Sequence, residues 1–263
     1  MSTDITNRFK RAILGEGPSR IGLWSSLADP CAAELLSTTG FDWLLLDGEH
    51  APNDVRSLLA QLQATAAGPA DVVVRPPYGD AVRIKQFLDI GAQNLLIPMV
   101  DTPEHAAELA RAVEFPPVGV RGVAAQTRAG RWGDVPDYLN RAREQICLIV
   151  QIETRAALGR VDEIAAVDGV DAVFIGPSDL AASLGHLGKP GAPEVVEAVE
   201  HVASRVRAAG KPVGILTVDE QQAARYIELG FDFVAVGMDT MLLRRAASDL
   251  RARFAGAAPD GGR

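Results

Sequence analysis

One short pattern recurs along the chain and limits the folds that are open to it. A glycine that ends a helical segment is followed directly by an apolar run, as in GFDWLLLD from Gly40, GAQNLLIP from Gly91, GVDAVFIGP from Gly169 and GFDFVAVG from Gly230. Glycine suits the left-handed position after a helix, and such apolar runs are typical of buried parallel strands. The pattern is a repeated helix-to-strand joint, which predicts a chain of βα units.

The remaining apolar runs extend this pattern to about eight strands, the number in a (β/α)8 barrel. The predicted strands are Ile21–Leu27, Trp43–Asp47, Val72–Arg75, Asn94–Pro98, Ile146–Glu153, Ala172–Ile175, Val213–Leu216 and Phe233–Val236. The predicted helices are Asn53–Ala66, Ala81–Asp89, Thr102–Val113, Thr154–Ala165, Ser178–Leu184, Pro193–Ala209, Asp219–Glu228 and Thr240–Phe254. A doubly wound open sheet is disfavoured, because no G-x-G-x-x-G turn follows the first strand.

Two further segments complete the predicted architecture. An extra helix over Asn7–Leu14 precedes the barrel, and residues 114–140 form a long connection rich in Pro, Gly and Arg. A connection of this length in a compact domain is usually functional or part of a subunit contact. We predict an α/β fold, a (β/α)8 TIM barrel with an extra N-terminal helix, as a single domain over residues 1–263.

Composition excludes several classes of protein. The formal net charge of −8 disfavours a dedicated nucleic-acid binder, and no apolar run has the length of about 18 residues that a bilayer span needs. The first residues scatter charges through their apolar stretch, so they do not read as a signal peptide. Cys31 and Cys147 are predicted to be reduced, buried thiols, and a cytoplasmic location is expected.

In this fold, functional side chains collect where the strands end. On the fifth strand, alternation places Cys147, Ile149, Gln151 and Glu153 on one face, which is predicted to point into the barrel. Burying an unpaired carboxylate costs several kcal/mol. Glu153 therefore needs a cationic partner, either an arginine in a structural ion pair or a bound cation.

The sixth strand ends in FIGPSDL, which places Ser178 and Asp179 at the start of a helix. Taken alone, this pair is a common helix cap. Together with Glu153 it puts two carboxylates at neighbouring strand ends, a donor set that suits a hard divalent cation such as Mg²⁺ or Mn²⁺. Two protein ligands would leave coordination positions open for water and a chelating substrate.

The second and third strands end in further polar groups. Asp47, Glu49 and His50 follow the second strand, and a histidine near carboxylates is a candidate general base at neutral pH. Arg75 ends the third strand and must find an anion, since its guanidinium keeps its charge. The sequence leaves open whether Arg75 pairs with Glu153 or stabilises a developing oxyanion.

Asp89 ends the predicted helix Ala81–Asp89, where its charge opposes the helix dipole. That position predicts a partner elsewhere in the fold, for which His50 is the candidate. Lys10, Lys85, Lys189 and Lys211 are the only lysines, and none ends a predicted strand. Their positions argue against a Schiff-base mechanism.

Long, ordered motifs give the chain a resemblance to a known family. The segments FDWLLLDGEHAPN, VVVRPP, IKQFLDIGAQNLLIPMVDTPEHA, RGV, QIET and VDAVFIGPSDLAASLG resemble the 4-hydroxy-2-oxoheptanedioate aldolase / 2-dehydro-3-deoxyglucarate aldolase family. Members of this family are class II pyruvate aldolases, which cleave a 4-hydroxy-2-oxo acid into pyruvate and an aldehyde. The resemblance runs from about Gly22 to about Thr240.

The resemblance implies a role for each matched residue. Glu153 and Asp179 would hold a divalent metal, Mg²⁺, Mn²⁺ or Co²⁺, and Gln151 and Ser178 would contact the substrate with Asp179 and Arg75. It makes Arg75, His50 and Asp89 catalytic: Arg75 stabilises the enolate oxygen, and Asp89 raises the basicity of His50, the acid/base residue. Asp47 and Glu49 would orient metal-bound water. The family is typically hexameric, which implies subunit contacts through the long connection and the last helix.

Some assignments stay open at this stage. The alternative function is an acyl-CoA thioester lyase of the citrate lyase β subunit type, which would need a basic groove for a nucleotide tail. Arg128 and Arg131 lie where the chain departs from the family pattern, and either contact an acceptor carboxylate or face a neighbouring subunit. His186 lies in a loop that is a candidate to reach the site. The acceptor aldehyde, the preferred metal and the stereochemistry are not predicted.

Overall fold

The computed structural model describes residues 4–254, which contain a closed barrel of eight parallel strands arranged in chain order. The last strand pairs with the first and closes the ring. This arrangement confirms the predicted (β/α)8 barrel. The strands are β1 Arg20–Ser25, β2 Trp43–Asp47, β3 Asp71–Arg75, β4 Asn94–Ile97, β5 Cys147–Ile152, β6 Ala172–Ile175, β7 Val213–Leu216 and β8 Phe233–Met238.

The helices follow the prediction with two additions, one of them a single turn at the end of the long connection, and one division. They are α1 Arg8–Leu14, α2 Pro30–Ser37, α3 Val55–Ala64, α4 Ala81–Asp89, α5 Pro103–Ala112, α6 Tyr138–Arg141, α7 Arg155–Leu158, α8 Val161–Ala165, α9 Pro177–Ser183, α10 Pro193–Ala208, α11 Glu220–Glu228 and α12 Asp239–Arg253. The single helix predicted over Thr154–Ala165 is two short helices. No helix of the described residues is long and apolar enough to cross a membrane.

Helix α2 was not predicted from the sequence. Asp29 caps it and Pro30 opens it, which is a common pair of start signals. Only Ala33 and Ser37 of this helix are buried, so its apolar periodicity is weak. The prediction of a buried Cys31 was wrong, because Cys31 lies exposed on α2, whereas Cys147 is buried as predicted.

The two faces of β5 separate as predicted. Cys147 and Ile149 belong to the cluster inside the barrel with Trp43, Phe174 and Phe233. The alternate residues of β5 pack into the larger cluster under the surrounding helices. The interior face of β5 therefore leads directly to its polar upper end.

Helix α1 closes the end of the barrel where the strands begin. Asn7 caps the helix by accepting a hydrogen bond from the backbone N–H of Lys10. The ring of Phe9 lies 5.7 Å from that of Trp43 and 5.6 Å from that of Phe233. These aromatic contacts pack α1 against the interior of the barrel at the end where the strands begin.

The long connection after α5 lies at the same closed end. Its Arg121 is buried, with the guanidinium carbon 4.5 Å from the centre of the Phe115 ring. Arg121 donates a hydrogen bond to Asp89 at 2.9 Å and one to the Tyr138 hydroxyl at 3.3 Å. The connection is thus anchored to the end of α4 by a buried ion pair.

Candidate active site

A cavity of about 450 Å³ lies at the open end of the barrel. Six of the residues predicted from the sequence line it, namely Asp47, His50, Arg75, Gln151, Ser178 and Asp179. Its apolar walls come from the ends of β1, β6, β7 and β8, through Trp24, Phe174, Leu216 and Met238. Strand ends from most of the ring thus converge on one cavity, as is general for enzymes with this fold.

Glu153 is buried directly behind the cavity wall. One carboxylate oxygen accepts a hydrogen bond from the backbone N–H of Met99 at 2.7 Å, and the other accepts one from the side-chain amide of Gln151. Burial raises the pKa of Glu153 to about 7, and the nearby carboxylates of Asp179 and Glu49 contribute to that rise. The charged form of Glu153 therefore lacks sufficient positive charge around it.

Gly176 is required as a glycine beside this carboxylate. A Cβ at that position would lie 2.4 Å from Oε2 of Glu153 and 2.7 Å from the amide nitrogen of Gln151. Contacts this short do not occur between a Cβ and other heavy atoms in real proteins. The glycine of the GPSD segment thus allows the end of β6 to approach the polar end of β5.

Asp47 and Arg75 form a buried pair across β2 and β3, whose ends are in register. The guanidinium donates to both carboxylate oxygens of Asp47, at 2.9 and 2.7 Å. Its Nη1 also lies 2.8 Å from a carboxylate oxygen of Glu49, as an ion pair. The two hydrogen bonds to Asp47 occupy two of the five N–H groups of an arginine. Among the described residues, Arg75 pairs with Asp47 and Glu49 and forms no ion pair with Glu153.

The two acids beside Arg75 differ in their electrostatics. Burial alone would raise the pKa of Asp47, but the hydrogen bonds and charge of Arg75 outweigh it, so that pKa is lowered. Burial raises the pKa of Glu49 despite Arg75. Asp47 also accepts the backbone N–H groups of Glu49 and His50, at 3.0 and 3.3 Å. Asp47 therefore orders the loop that carries both residues.

Trp24 is a site residue that the sequence did not single out. Its indole N–H donates to Asp47 at 3.1 Å, and the guanidinium carbon of Arg75 lies 4.7 Å from its ring centre. A cation over an indole face is attracted by the ring. In the sequence, Trp24 has the appearance of an ordinary core residue of β1. Its role in orienting Arg75 is visible only in the contacts between neighbouring strands.

His50 reaches the cavity from an exposed position. Its side chain is 67% exposed, and its Nε2 lies 3.9 Å from the carboxylate of Glu49. An exposed imidazole beside a carboxylate is accessible to a substrate hydroxyl. The structure therefore leaves His50 in a suitable place for the predicted acid/base role.

Within one copy of the chain, Asp89 does not form the predicted pair with His50. Helix α4 starts after the end of β3 and runs back to the start of β4, so its last residue lies at the closed end of the barrel. There Asp89 pairs with Arg121 at 2.9 Å. Among the described residues, no hydrogen bond or ion pair joins Asp89 to His50.

The other open residues also lie outside the cavity. Arg128 donates to the backbone carbonyls of Ile90 and Leu62, at 2.8 and 3.1 Å, near the ends of α4 and α3. Arg131 follows it in a short 3₁₀ turn of the same connection. His186 pairs with Glu194 at 2.9 Å and is not among the residues that line the cavity.

The donor set at the open end fits a divalent cation. Asp47, Glu49, Glu153 and Asp179 bring four carboxylates to this region, against the single guanidinium of Arg75. The side-chain oxygen of Gln151 is buried without a hydrogen-bond partner. Among residues 4–254, no group of three or more His, Cys, Asp or Glu side chains is arranged so that it could hold a metal ion.

Comparisons with known proteins agree with this geometry. The sequence model described as HpcH/HpaI aldolase/citrate lyase matches residues 20–246. A Pseudomonas aeruginosa protein named hydroxypyruvate/pyruvate aldolase is 59% identical over 254 residues, covering 96% of this chain and 94% of that protein. An Escherichia coli protein named 4-hydroxy-2-oxo-heptane-1,7-dioate aldolase is 54% identical over 249 residues, covering 94% of this chain and 95% of that protein.

Solved structures give the same assignment. A HpcH/HpaI aldolase/citrate lyase family protein from Burkholderia cenocepacia matches with a TM-score of 0.92 and 41% identity, covering 94% of this chain and 99% of that chain. A citrate lyase β subunit from Mycobacterium tuberculosis is only 19% identical with a TM-score of 0.55, so it shares the fold alone. The matched span and the identities show that the chain belongs to the HpcH/HpaI aldolase/citrate lyase family.

Proposed function

We propose that this chain is a divalent-metal-dependent pyruvate aldolase, which reversibly cleaves a 4-hydroxy-2-oxo acid into pyruvate and an aldehyde. The observation that carries the proposal is the buried carboxylate of Glu153, which lies among other carboxylates beside a cavity that also holds Arg75 and His50. The names of the Pseudomonas aeruginosa and Escherichia coli relatives support the same reaction class.

In this proposal, Glu153 and Asp179 hold a divalent ion such as Mg²⁺, Mn²⁺ or Co²⁺, which stabilises negative charge on a carbonyl oxygen when it is bound. N–H groups of Arg75 that are not bonded to Asp47 donate to the enolate oxygen. Arg75 is held in place from both sides by Asp47 and Trp24, so these donors are oriented before the substrate arrives.

His50 takes the proton from the hydroxyl of the 4-hydroxy-2-oxo acid during cleavage and returns it in the aldol direction. Nε2 of His50 lies 3.9 Å from the carboxylate of Glu49. Gln151 and Ser178 line the cavity and orient the pyruvate portion of the substrate.

The first test is pyruvate release from 4-hydroxy-2-oxoheptanedioate by chelator-treated protein, with and without added Mn²⁺ or Mg²⁺. We expect release only with metal, and activity that is unaffected by the chelator would contradict the proposal. If no pyruvate is released with either metal, aldol addition of pyruvate to a panel of aldehydes tests the class without assuming the acceptor. Loss of both activities would overturn the aldolase assignment.

Substitutions test the roles of Arg75 and His50. His50→Ala is expected to reduce aldol cleavage more than metal-dependent exchange of the methyl protons of pyruvate, because the base acts on the hydroxyl. Arg75→Lys is expected to slow both reactions, since an ammonium does not reproduce the planar fork. His201→Ala, which changes an exposed histidine of α10, is the matched control. Unchanged cleavage by His50→Ala would contradict its role as base.

We also propose that the chain forms a homo-oligomer, with a hexamer as the family resemblance implies, through α12. Among the described residues of this 15-residue helix only Asp239 is buried, while Met241, Leu242, Leu243 and Leu250 of the helix, and Phe254 directly after it, are 48–65% exposed. An isolated helix of this length is marginal in water, so α12 needs a further surface. A second copy of the chain supplies such a surface, because its own α12 carries the same exposed residues. Sedimentation of wild type against Leu243→Glu tests this, and a monomeric wild type would contradict it.

A cytoplasmic location remains a prediction.

A further inference from the structure

The start of α12 is tied to the end of β1 by a buried carboxylate that the mechanism above does not use. Asp239 is 3% exposed and accepts a hydrogen bond from the Ser25 hydroxyl at 2.9 Å. It also accepts the backbone N–H groups of Ser26 at 3.0 Å and Leu27 at 3.1 Å. Its remaining bond comes from the N–H of Thr240 at 2.7 Å. One side chain therefore joins two segments that are about 210 residues apart in sequence.

An irregularity in β8 places Asp239 in this position. Gly22 is paired with Ala235, but Trp24 is paired with Met238, so β8 has one residue more than β1 over this stretch. An extra residue of this kind bends a strand and redirects the side chains that follow. The carboxylate of Asp239 is thereby turned under the loop that follows β1.

The two segments joined by Asp239 form one wall of the cavity. Trp24 at the end of β1 lines it, as do Met238 before Asp239 and Met241 in the first turn of α12. The rest of α12 buries little against its own chain, so within one copy few other contacts fix this wall. The methionines are flexible side chains, and their positions depend on the backbone that carries them.

This wall faces the metal side of the cavity across the barrel. Glu153 follows β5 and Asp179 follows β6, whereas β1 and β8 are neighbours on another part of the ring. On the proposed function, pyruvate is held near β5 and β6, so the β1–β8 wall is left for the aldehyde. We propose that Asp239 is a positioning residue that sets the acceptor side of the cavity by holding Met238 and Met241 against the end of β1.

The test separates acceptor binding from pyruvate activation in the full-length, metal-loaded protein. Asp239→Asn keeps the shape of the side chain but replaces one acceptor oxygen with a donor that faces N–H groups. We expect the KM for the aldehyde to rise by about tenfold, while methyl-proton exchange of pyruvate alone changes by less than about twofold. Ser25→Ala removes one bond of the set and is expected to give a smaller rise.

Two further variants guard against a general folding defect. Asp29→Asn changes another aspartate at a helix start, outside the cavity, and is expected to leave the KM for the aldehyde unchanged. Met241→Ala changes the wall directly and is expected to raise the KM for the aldehyde. Since both act through one wall, the Asp239→Asn/Met241→Ala double variant is expected to show a much smaller rise than the product of the two single effects.

The outcomes distinguish this inference from the proposed function. A parallel loss of exchange and aldol addition in Asp239→Asn, or an unchanged KM for the aldehyde, would overturn the positioning role. Independent effects of the two substitutions in the double variant would also overturn it. If wild-type protein shows no metal-dependent exchange of pyruvate, the proposed function itself fails, whatever the variants do.

Discussion

Asp47 and Glu153 occupy similar places in the barrel and behave in opposite ways. Each lies at or just after the end of a strand, and they are 1% and 2% exposed. The pKa of Asp47 is lowered, whereas burial raises the pKa of Glu153 to about 7. The difference comes from Arg75, which donates two hydrogen bonds to Asp47 and none to Glu153.

This difference shows how one guanidinium, by pairing with some of the four carboxylates and not with others, gives them different roles. The charge of Asp47 is balanced within the protein by Arg75, and Asp47 fixes the orientation of the Arg75 side chain. Glu153 keeps a charge that the protein does not balance, which is the property a metal ligand needs. Burial alone therefore does not predict the role of a carboxylate at the end of a barrel strand. That role depends on whether a charged partner lies beside the carboxylate.

Glu153→Gln is the substitution expected to have the largest effect. Replacing the carboxylate with an amide of the same shape removes a metal ligand, so we expect aldol activity to fall by about a thousandfold or more. The affinity for Mn²⁺, measured by titration calorimetry, should fall with it. The free energy of unfolding of the metal-free protein should stay equal or rise, because a buried charge is removed.

Glu34→Gln is the matched control, since Glu34 is exposed on α2 far from the cavity. It should leave activity, Mn²⁺ affinity and stability unchanged. Wild-type Mn²⁺ affinity in Glu153→Gln would contradict the assignment of Glu153 as a ligand. A marked loss of stability in that variant would contradict the contrast with Asp47.

Asp47→Ala should have the reverse signature, with stability as its main readout. Removing one partner of a buried ion pair leaves Arg75 short of charge, which costs about 3–5 kcal/mol of the free energy of unfolding. Urea denaturation of the metal-free protein measures this loss. Asp42→Ala, which breaks the half-exposed pair with Arg20, is the control and should cost about 1 kcal/mol or less. Equal losses in the two variants would show that burial does not make the Asp47 pair special.

The sequence predicted the framework of this site because barrel geometry follows from local patterns. Alternation along β5 correctly placed Gln151 and Glu153 on the interior face, and the apolar runs gave the strand ends from which the site is built. The different partners and pKa shifts of Asp47 and Glu153 were not predictable to the same degree. The partner of Arg75 depends on which strand ends lie side by side and in which register, which no local pattern records.

Two misplaced expectations have separate physical causes. A helix that follows a barrel strand returns the chain to the opposite end, so within one copy Asp89 lies away from His50 and pairs with Arg121. Trp24 was overlooked because an indole in an apolar strand resembles any core residue. Its N–H bond to Asp47 appears only when β1 and β2 are paired.

The pH dependence of stability should follow Glu153 in the metal-free protein. Its pKa is raised from 4.5 to about 7, so the folded state binds the proton more tightly than the unfolded chain. The resulting stability is fully present below pH 4.5 and is lost as the pH rises through 7, a loss on the order of 3 kcal/mol. Urea unfolding at pH 5 and pH 8 measures it, and Glu153→Gln should lose much less over the same range. Equal pH dependence in the two proteins would assign the effect to other groups.

Trp24→Phe gives the smallest expected effect and the finest test of the contrast. Phenylalanine keeps an aromatic face under Arg75 but removes the N–H that donates to Asp47 at 3.1 Å. Asp47 retains both bonds from Arg75, so we expect a loss of about 1–2 kcal/mol in the free energy of unfolding. Mn²⁺ affinity should be unchanged, because Trp24 does not contact the carboxylate of Glu153 through any hydrogen bond among the described residues. If Mn²⁺ affinity fell together with stability, the Asp47 and Glu153 sides of the cavity would be coupled. The separate roles proposed here, Asp47 as the partner of Arg75 and Glu153 as a metal ligand, would then be contradicted.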